Sequence, residues 1–239
     1  MKIGLLGYGK MGKAIEGVAM AQQHEIVFRI SRDNRDSLTS GLLQTADVVI
    51  EFTRPDSAFG HVMLCLEAGV PVICGTTGWQ AQMKAAEDAC IRLRGAFLWA
   101  SNFSIGVNLF FALNRYLTLL MNPRPEYDPS VTEIHHIHKL DAPSGTALTL
   151  VHDIIRNLDR KKQWSLIPEA AGAGVIPVEA IRTGETPGTH VVSWASPVDE
   201  IRIEHKAHSR AGFASGAVHA ANWLAGKEGV FSMNDVLGI

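Results

Sequence analysis

The sequence predicts an α/β protein: a doubly wound parallel sheet, joined to a second α+β domain with a mixed or antiparallel sheet. Two observations predict it. Short apolar runs alternate with helical patterns up to about residue 100, the order that builds a parallel sheet with helices on both faces. Beyond that point one long helical pattern is followed by separate extended runs, which suit a second, mixed sheet covered by helices.

In the first part, strands are expected at residues 2–7, 24–30, 46–52, 70–74 and 96–100. Helices are expected between them at 10–22, 55–68 and 80–92. A helix over Ile105–Met121 then ends at the proline-rich stretch 122–129. Residues 131–138 read as extended and 144–158 as helical. After Pro168 the chain turns β-rich at Val175–Arg182, 190–194 and 200–207. A last amphipathic helix, 212–224, is expected to return to the first domain. The division expected is 1–103 with 211–239 as a dinucleotide-binding domain. Residues 104–210 are expected to form a second domain that takes the substrate.

The chain has 239 residues, 46% apolar and 19% charged, with a net charge of -2. That composition suits a folded protein of two modest cores and offers no basic face for nucleic acid. Cys65, Cys74 and Cys90 form no CxxC pair, so a reducing, cytoplasmic compartment is expected. The glycine-rich start followed by Lys10 and Lys13 does not read as a signal peptide. The uncharged run 95–114 approaches bilayer length. Polar Ser101, Asn102, Ser104 and Asn108 interrupt it, so strand, loop and buried helix are expected rather than a membrane span.

Gly7-Tyr8-Gly9-Lys10-Met11-Gly12 stands between a predicted strand and helix. The first glycine permits a tight turn, the second lets backbone approach a pyrophosphate, and the third lets the helix pack on the strand. The helix end adds free N–H donors and a favourable dipole. A Rossmann-like dinucleotide site is therefore expected. The second strand leads into Ser31-Arg32-Asp33. Arg32, helped by Lys10, offers a contact for the 2'-phosphate of NADPH, while Asp33 leaves NADH open; NADPH is favoured slightly. Gly75-Thr76-Thr77-Gly78 and Ala100-Ser101-Asn102-Phe103 follow later strands, where ligands of such sheets sit.

The stretch from Glu133 to Ala147 is the most unusual. If 131–139 is extended, Glu133, His135, Ile137 and Lys139 share one face, and His136 and His138 the other. One pocket then holds a proton-transferring imidazole and a fixed cation. Pro143-Ser144-Gly145-Thr146 reads as a helix entry with Ser144 as N-cap and open N–H groups for a carboxylate. His135, His136 and His138 also invite a zinc reading. Tetrahedral sites usually bring a distant fourth ligand and no lysine among them, so no metal is expected.

This stretch resembles the signature of the dihydrodipicolinate reductase family: Glu133, His135, Lys139, Asp141 and then Pro143-Ser144-Gly145-Thr146-Ala147. The resemblance extends to Ile50-Glu51-Phe52-Thr53-Arg54-Pro55, to the two loops above, and to His205-Lys206-Ala207, Ser209-Arg210 and Phe213-Ala214-Ser215-Gly216-Ala217. It implies hydride transfer from a nicotinamide to an unsaturated dipicolinate ring after loss of the 4-hydroxyl as water. By position, His135 is the general acid and Lys139 balances charge in the substrate. His136, Ser144, Gly145 and Thr146 hold a carboxylate of this small dicarboxylate. Phe52, Thr53, Arg210 and Phe213 join the glycine loop, Arg32 and the two later loops at the cofactor. A homotetramer joined through the second sheet is implied. The chain departs from the family pattern in a glycine loop one residue shorter than in many members. It has Lys10 where Arg is common, Ser31 in place of an acid, Ser130 in place of Glu, and a shortened stretch 158–174. The shorter loop with Lys10, and Ser31, bear on cofactor choice; Ser130 is a framework change.

Two rival functions carry different signs. A semialdehyde dehydrogenase needs a nucleophilic cysteine, and a sugar reductase of similar layout shows Glu-Lys-Pro where Gly75-Thr76-Thr77 stands. A dinucleotide sensor needs the glycine loop but neither His135 nor Lys139.

Overall fold

The apolar run after Met1 forms β1 (Lys2–Leu6), buried from Ile3 onward. It lies inside a sheet of six parallel strands. The others are β2 (Glu25–Ile30), β3 (Val48–Glu51), β4 (Val72–Cys74), β5 (Ala96–Trp99) and β11 (Gly229–Phe231), in the order β11-β5-β4-β3-β1-β2. The computed structural model describes residues 1–166, 172–209 and 211–239. The chain divides into two compact units, Met1–Ile105 with Ala211–Ile239, and Gly106–Arg210.

In the first unit the helices are α1 (Lys10–Ala21), α2 (Ser40–Leu43), α3 (Pro55–Glu67), α4 (Met83–Leu93), α7 (Ala211–Leu224) and α8 (Met233–Leu237). One apolar cluster fills the space between one face of the sheet and α1, α7 and α8, around Ile15, Ala217 and Leu224. The other lies under α3 and α4, around Val62 and Ala86. Both faces of the sheet are thus covered, which a parallel sheet requires. The strand order reverses between β1 and β3, so their carboxyl ends, Leu6 and Glu51, flank the switch point where such sheets take ligands.

The second unit holds α5 (Ile105–Met121), β6 (Asp128–His135), α6 (Gly145–Asn157), β7 (Gln163–Ser165), β8 (Val175–Arg182), β9 (Thr189–Ala195) and β10 (Glu200–Lys206). Its sheet is mixed, in the order β10-β9-β6-β8-β7, with β6 parallel to β8 and antiparallel to β9. Alternate residues of β6 face inward: Pro129, Val131, Glu133 and His135. Val131 packs with Val178, Val192 and Trp194 under α5 and α6, while Glu133 and His135 carry the same face into the polar end.

Several expectations need correction. β6 begins at Asp128 and ends at His135, not His138; a turn follows, closed by the Lys139 N–H to the His136 carbonyl at 3.1 Å. The face-sharing read for Ile137 and Lys139 therefore fails, because alternation stops with the strand. Pro129 lies inside β6, in the part paired with β9 before the ladder to β8 starts at Val131. A short 3-10 turn, Arg32–Ser37, follows β2. β7, β11, α2 and α8 were not expected. The uncharged run 95–114 becomes β5, a loop and part of α5. Among the described residues no helix is long and apolar enough to cross a membrane. Pro168 and Arg210 lie outside the described residues.

Candidate functional site

The first unit presents a cleft of about 700 Å³ at the carboxyl ends of β1, β2 and β3, lined by Gly7, Gly9, Ser31, Arg32, Arg35 and Thr53 among others. Gly7 takes φ +94°, and a Cβ on it would stand 1.9 Å from the Phe52 carbonyl oxygen. A Cβ on Gly12 would stand 2.2 Å from the Gly7 carbonyl oxygen. A Cβ on Gly9 would meet nothing within 4 Å, so that glycine opens space beside the first turn of α1. No side chain caps this helix end. Tight turn, open approach and close packing are the three features a pyrophosphate-binding loop needs, and the residues present fit a dinucleotide.

Tyr8 also borders the cleft, with its hydroxyl donating to Glu16, which in turn pairs with Arg29. Lys10 is exposed and outside the lining, and Met11 packs into the first core cluster. At the end of β2, Ser31 caps the following turn: its hydroxyl accepts from Asp33 N–H at 3.2 Å. Arg32, Asp33 and Arg35 consequently stand together along the cleft. Arg35 was missed in the sequence, although a turn that brings residue 35 back beside 32 explains it.

The later loops meet at Phe52. Its ring fills the space that a Cβ on Gly75 would need, 2.1 Å away, and lies 5.6 Å from the Phe103 ring. Beneath them Glu51 is fully buried. It accepts from Thr53 N–H at 3.1 Å, from the Thr53 hydroxyl, from the Thr76 hydroxyl at 2.7 Å and from the Cys74 thiol at 2.9 Å. Burial works to raise this carboxyl, but the donors, with His61 foremost, outweigh it and hold it below the ordinary range. The Thr76 carbonyl accepts from both Trp79 and Trp99 indoles, at 2.8 and 2.9 Å. Thr77 and Ser101 are exposed, Asn102 and Phe213 are half-buried, and Ala100 is buried. A Cβ on Gly216 in α7 would stand 1.7 Å from the Phe103 carbonyl oxygen, so this helix packs directly on the Phe103 loop.

In the second unit the strand register builds a second cluster. Glu133 pairs across β9 with His190, and His135 across β8 with Arg182. Both Glu133 carboxylate oxygens accept the Ser144 N–H, at 3.1 and 3.0 Å, and one accepts from Arg182 at 2.9 Å. His135 Nδ1 lies 3.6 Å and His190 Nε2 3.8 Å from the other oxygen. The two imidazoles meet edge to face at 5.0 Å. Arg182 also donates to the carbonyls of Lys139 and Asp141, at 3.3 and 2.6 Å. Lys139 Nζ donates to both Asp141 carboxylate oxygens at 2.8 Å.

Burial pulls the His135 imidazole below its usual range. Glu133 and Asp141 oppose this, while Lys139 and Arg182 add to it. His190 is pulled to about 4, chiefly by burial. Burial alone would raise the Glu133 carboxyl, but hydrogen bonds from Ser144 and Arg182 hold it low.

Glu133, His135 and His190 stand close enough to share a metal ion. Arg182 already neutralises the carboxylate, and Lys139 adds a second cation; a further dication would meet both.

Ser144 caps α6, its hydroxyl accepting from Ala147 N–H at 3.2 Å and meeting His190 Nε2 at 3.1 Å. Ser144 is buried with all its polar atoms engaged, whereas Gly145 is exposed and Thr146 half-buried. His136 is half-buried beside exposed His138, which pairs with Glu185 at 3.1 Å. Arg182 and His190 were missed in the sequence, because only the register brings them to Glu133.

Comparisons with known proteins give the family. The family model for dihydrodipicolinate reductase, N-terminus, matches residues 1–103, and the model for its C-terminus matches 106–237. A 4-hydroxy-tetrahydrodipicolinate reductase of Christiangramia forsetii is 43% identical over 99% of this chain and 98% of its own length. One of Chromobacterium violaceum is 42% identical over 82% of this chain and 75% of its own length. Among solved structures, dipicolinate-bound dihydrodipicolinate reductase from Paenisporosarcina sp. TG-14 has a TM-score of 0.81 at 24% identity, with 97% of each chain covered. That likeness speaks for the fold. The chain belongs to the dihydrodipicolinate reductase family and is an oxidoreductase whose N-terminal domain binds a nicotinamide dinucleotide.

Proposed function

We propose that the chain reduces 4-hydroxy-tetrahydrodipicolinate to tetrahydrodipicolinate with loss of water, using NAD(P)H, in the diaminopimelate route to lysine. One observation carries this reading. A single chain holds a glycine-opened helix end at a sheet switch point and a buried imidazole beside a second open helix entry.

The first unit would hold the dinucleotide through Gly7, Tyr8, Gly9, Arg32, Phe52, Thr53 and the loops of Gly75, Thr76 and Phe103. A bound nicotinamide supplies the hydride. His135 supplies the balancing proton. Its resting imidazole is depressed by burial and by the Lys139 and Arg182 cations, and an anionic substrate beside it favours the protonated form. Lys139 balances negative charge that develops in the substrate, exchanging its Asp141 partner for it. The N–H groups of Gly145 and Thr146, at the start of α6 and without an acceptor among the described residues, hold a carboxylate with His136. Ser144 caps this entry, with its N–H bound by Glu133 and its hydroxyl by Ala147 and His190; that hydroxyl has capacity for one further hydrogen bond, to the same carboxylate.

The three buried, free thiols suit neither a nucleophile nor an oxidising compartment. A cytoplasmic homotetramer is the assembly we infer from the resemblance; light scattering of the purified protein tests the four-chain mass. NADPH is favoured with dual use. Arg32 and Arg35 border the cleft where Ser31 replaces an acid, and Asp33 leaves NADH possible.

Steady-state turnover with each cofactor tests the reading. Arg32→Ala should raise the KM for NADPH about tenfold, the scale of one lost charged contact, with little change for NADH. A strong NADH preference in the unaltered protein would refute the role of Arg32. His135→Ala should slow turnover about 10²–10⁴-fold with dinucleotide binding kept; unchanged turnover would remove His135 from the chemistry.

A further inference from the structure

Glu133 is fully buried, yet it is held as an anion by Ser144 and Arg182. The same carboxylate faces His135 Nδ1 at 3.6 Å and His190 Nε2 at 3.8 Å. It is therefore shared between the ring proposed as proton donor and the backbone that opens the proposed carboxylate site. Through Arg182 it also reaches the loop carrying Lys139, whose carbonyl and that of Asp141 accept from the same guanidinium.

We propose that Glu133 is a positioning residue for the reduction: its buried carboxylate locks the His135 ring and the Ser144 entry of α6 into one frame and turns His135 Nε2 toward the substrate. The inference rests on His135 being the proton donor and the α6 entry a carboxylate site.

Three features support it. Glu133 and His135 are two residues apart on the inward face of β6, so the strand itself fixes their separation. An anion beside Nδ1 favours a proton there, which leaves Nε2 as the nitrogen that exchanges with substrate. The contact is longer than a hydrogen bond, as catalytic contacts often are before substrate binds. Finally, a Cβ on Gly188 would stand 3.1 Å from His135 Nε2, so glycine at that position keeps the reactive side clear.

The groups facing His135 are Glu133 on its own strand, Lys139 and Asp141 on the following loop, Arg182 on β8 and His190 on β9. Glu133 is foremost among those favouring the protonated ring, so its loss leaves the cations less opposed.

Glu133→Gln tests the inference by the pH profile of kcat. A proton donor loses activity as pH rises through its pKa. The variant should therefore lose activity at a pH lower by about one unit, the low end for removal of an adjacent opposite charge. Its kcat should fall about 10–100-fold, the range for partners that orient a reacting group, with dinucleotide affinity unchanged. Glu133→Asp keeps the charge and should restore the position of the limb while kcat stays low. An E133Q profile whose limb does not move would overturn the inference, whatever its kcat, since a merely structural role predicts that result. Nitrogen-15 shifts of His135 in the unaltered protein decide the point even if the variants do not fold. A neutral ring with its proton on Nδ1 is expected, and one with its proton on Nε2 overturns the proposal. Turnover by the unaltered protein, measured first, tests the underlying reading separately. With none, the proton-donor reading and this inference fall together; with turnover and an indifferent E133Q, this inference alone falls.

Discussion

A methyl group added at Gly7 would collide with the Phe52 carbonyl in a backbone conformation that side chains rarely adopt, whereas one at Gly9 would point into open space. The two glycines of one loop thus differ: the fold needs the first, and the second leaves open the space where we propose the dinucleotide lies. Gly7→Ala should destabilise the protein by about 3 kcal/mol or more, combining strain and a clash. Gly9→Ala should leave the melting temperature unchanged and raise the KM for the dinucleotide about tenfold, equivalent to about 1.4 kcal/mol. Thermal melting and steady-state kinetics on both variants check this; equal melting losses would contradict the division. At this scale the sequence was most legible where function is contiguous. His135, Lys139 and the Ser144 cap lie in one short stretch. Arg182 and His190 lie 47 and 55 residues beyond His135, and no local pattern announces that β8 and β9 will flank β6. Ser144 reads as an N-cap from the helix entry, which the structure bears out, and its place at the substrate is what the resemblance implies. Its burial and its bonds to Glu133 and His190 become visible only in three dimensions.

Among elements, strand β6 shows what periodicity can and cannot say. Alternation correctly puts Glu133 and His135 on one face, but it carries no mark of where the strand stops. Continuing it to Lys139 gave the right neighbour for the wrong reason: a turn, with Arg182 and Asp141 fixing it, sets the place of Lys139. β11 was missed because only Val230 and Phe231 are apolar between Gly229 and Ser232, whereas the equally short β4 sits in the apolar run 70–74; β11 gains its order from pairing with β5. The stretch 158–174, nearly patternless in sequence, contains a strap in its described part. The Arg160 guanidinium donates to the carbonyls of Met121, Asn122, Arg124 and Tyr127, and the buried Lys161 pairs with Asp128 at 3.1 Å. These bonds replace the helix and strand ladders that the proline-rich turn lacks. Arg160→Ala should lower unfolding stability by about 2 kcal/mol, the scale of hydrogen bonds from a charged donor. Denaturant unfolding of the second unit's tryptophan signal checks it, and an unchanged midpoint would show the strap to be dispensable.

At the level of the whole molecule, buried histidines make stability depend on pH. His190 is held near 4, against 6.5 for an unburied imidazole. The unfolded chain therefore binds the extra proton between those values, so stability falls as pH drops from about 6.5 to about 4. The shift is worth about 3 kcal/mol for His190. His24, His135 and His205 are lowered too, and add in the same direction. Melting temperatures measured across that window should decline toward acid, and His190→Gln should flatten the decline. The doubly wound sheet was legible because each of its strands but the last is announced by an apolar run and a turn. The mixed second sheet was legible as strands but not as an order, since strand order is set by packing rather than by local propensity. Reduction of 4-hydroxy-tetrahydrodipicolinate is the activity that draws on both halves of the sequence. It is tested most directly by following the absorbance of reduced nicotinamide when the unaltered protein meets freshly made 4-hydroxy-tetrahydrodipicolinate. Prompt oxidation is expected, with NADPH at least as effective as NADH. No oxidation with either cofactor would contradict it.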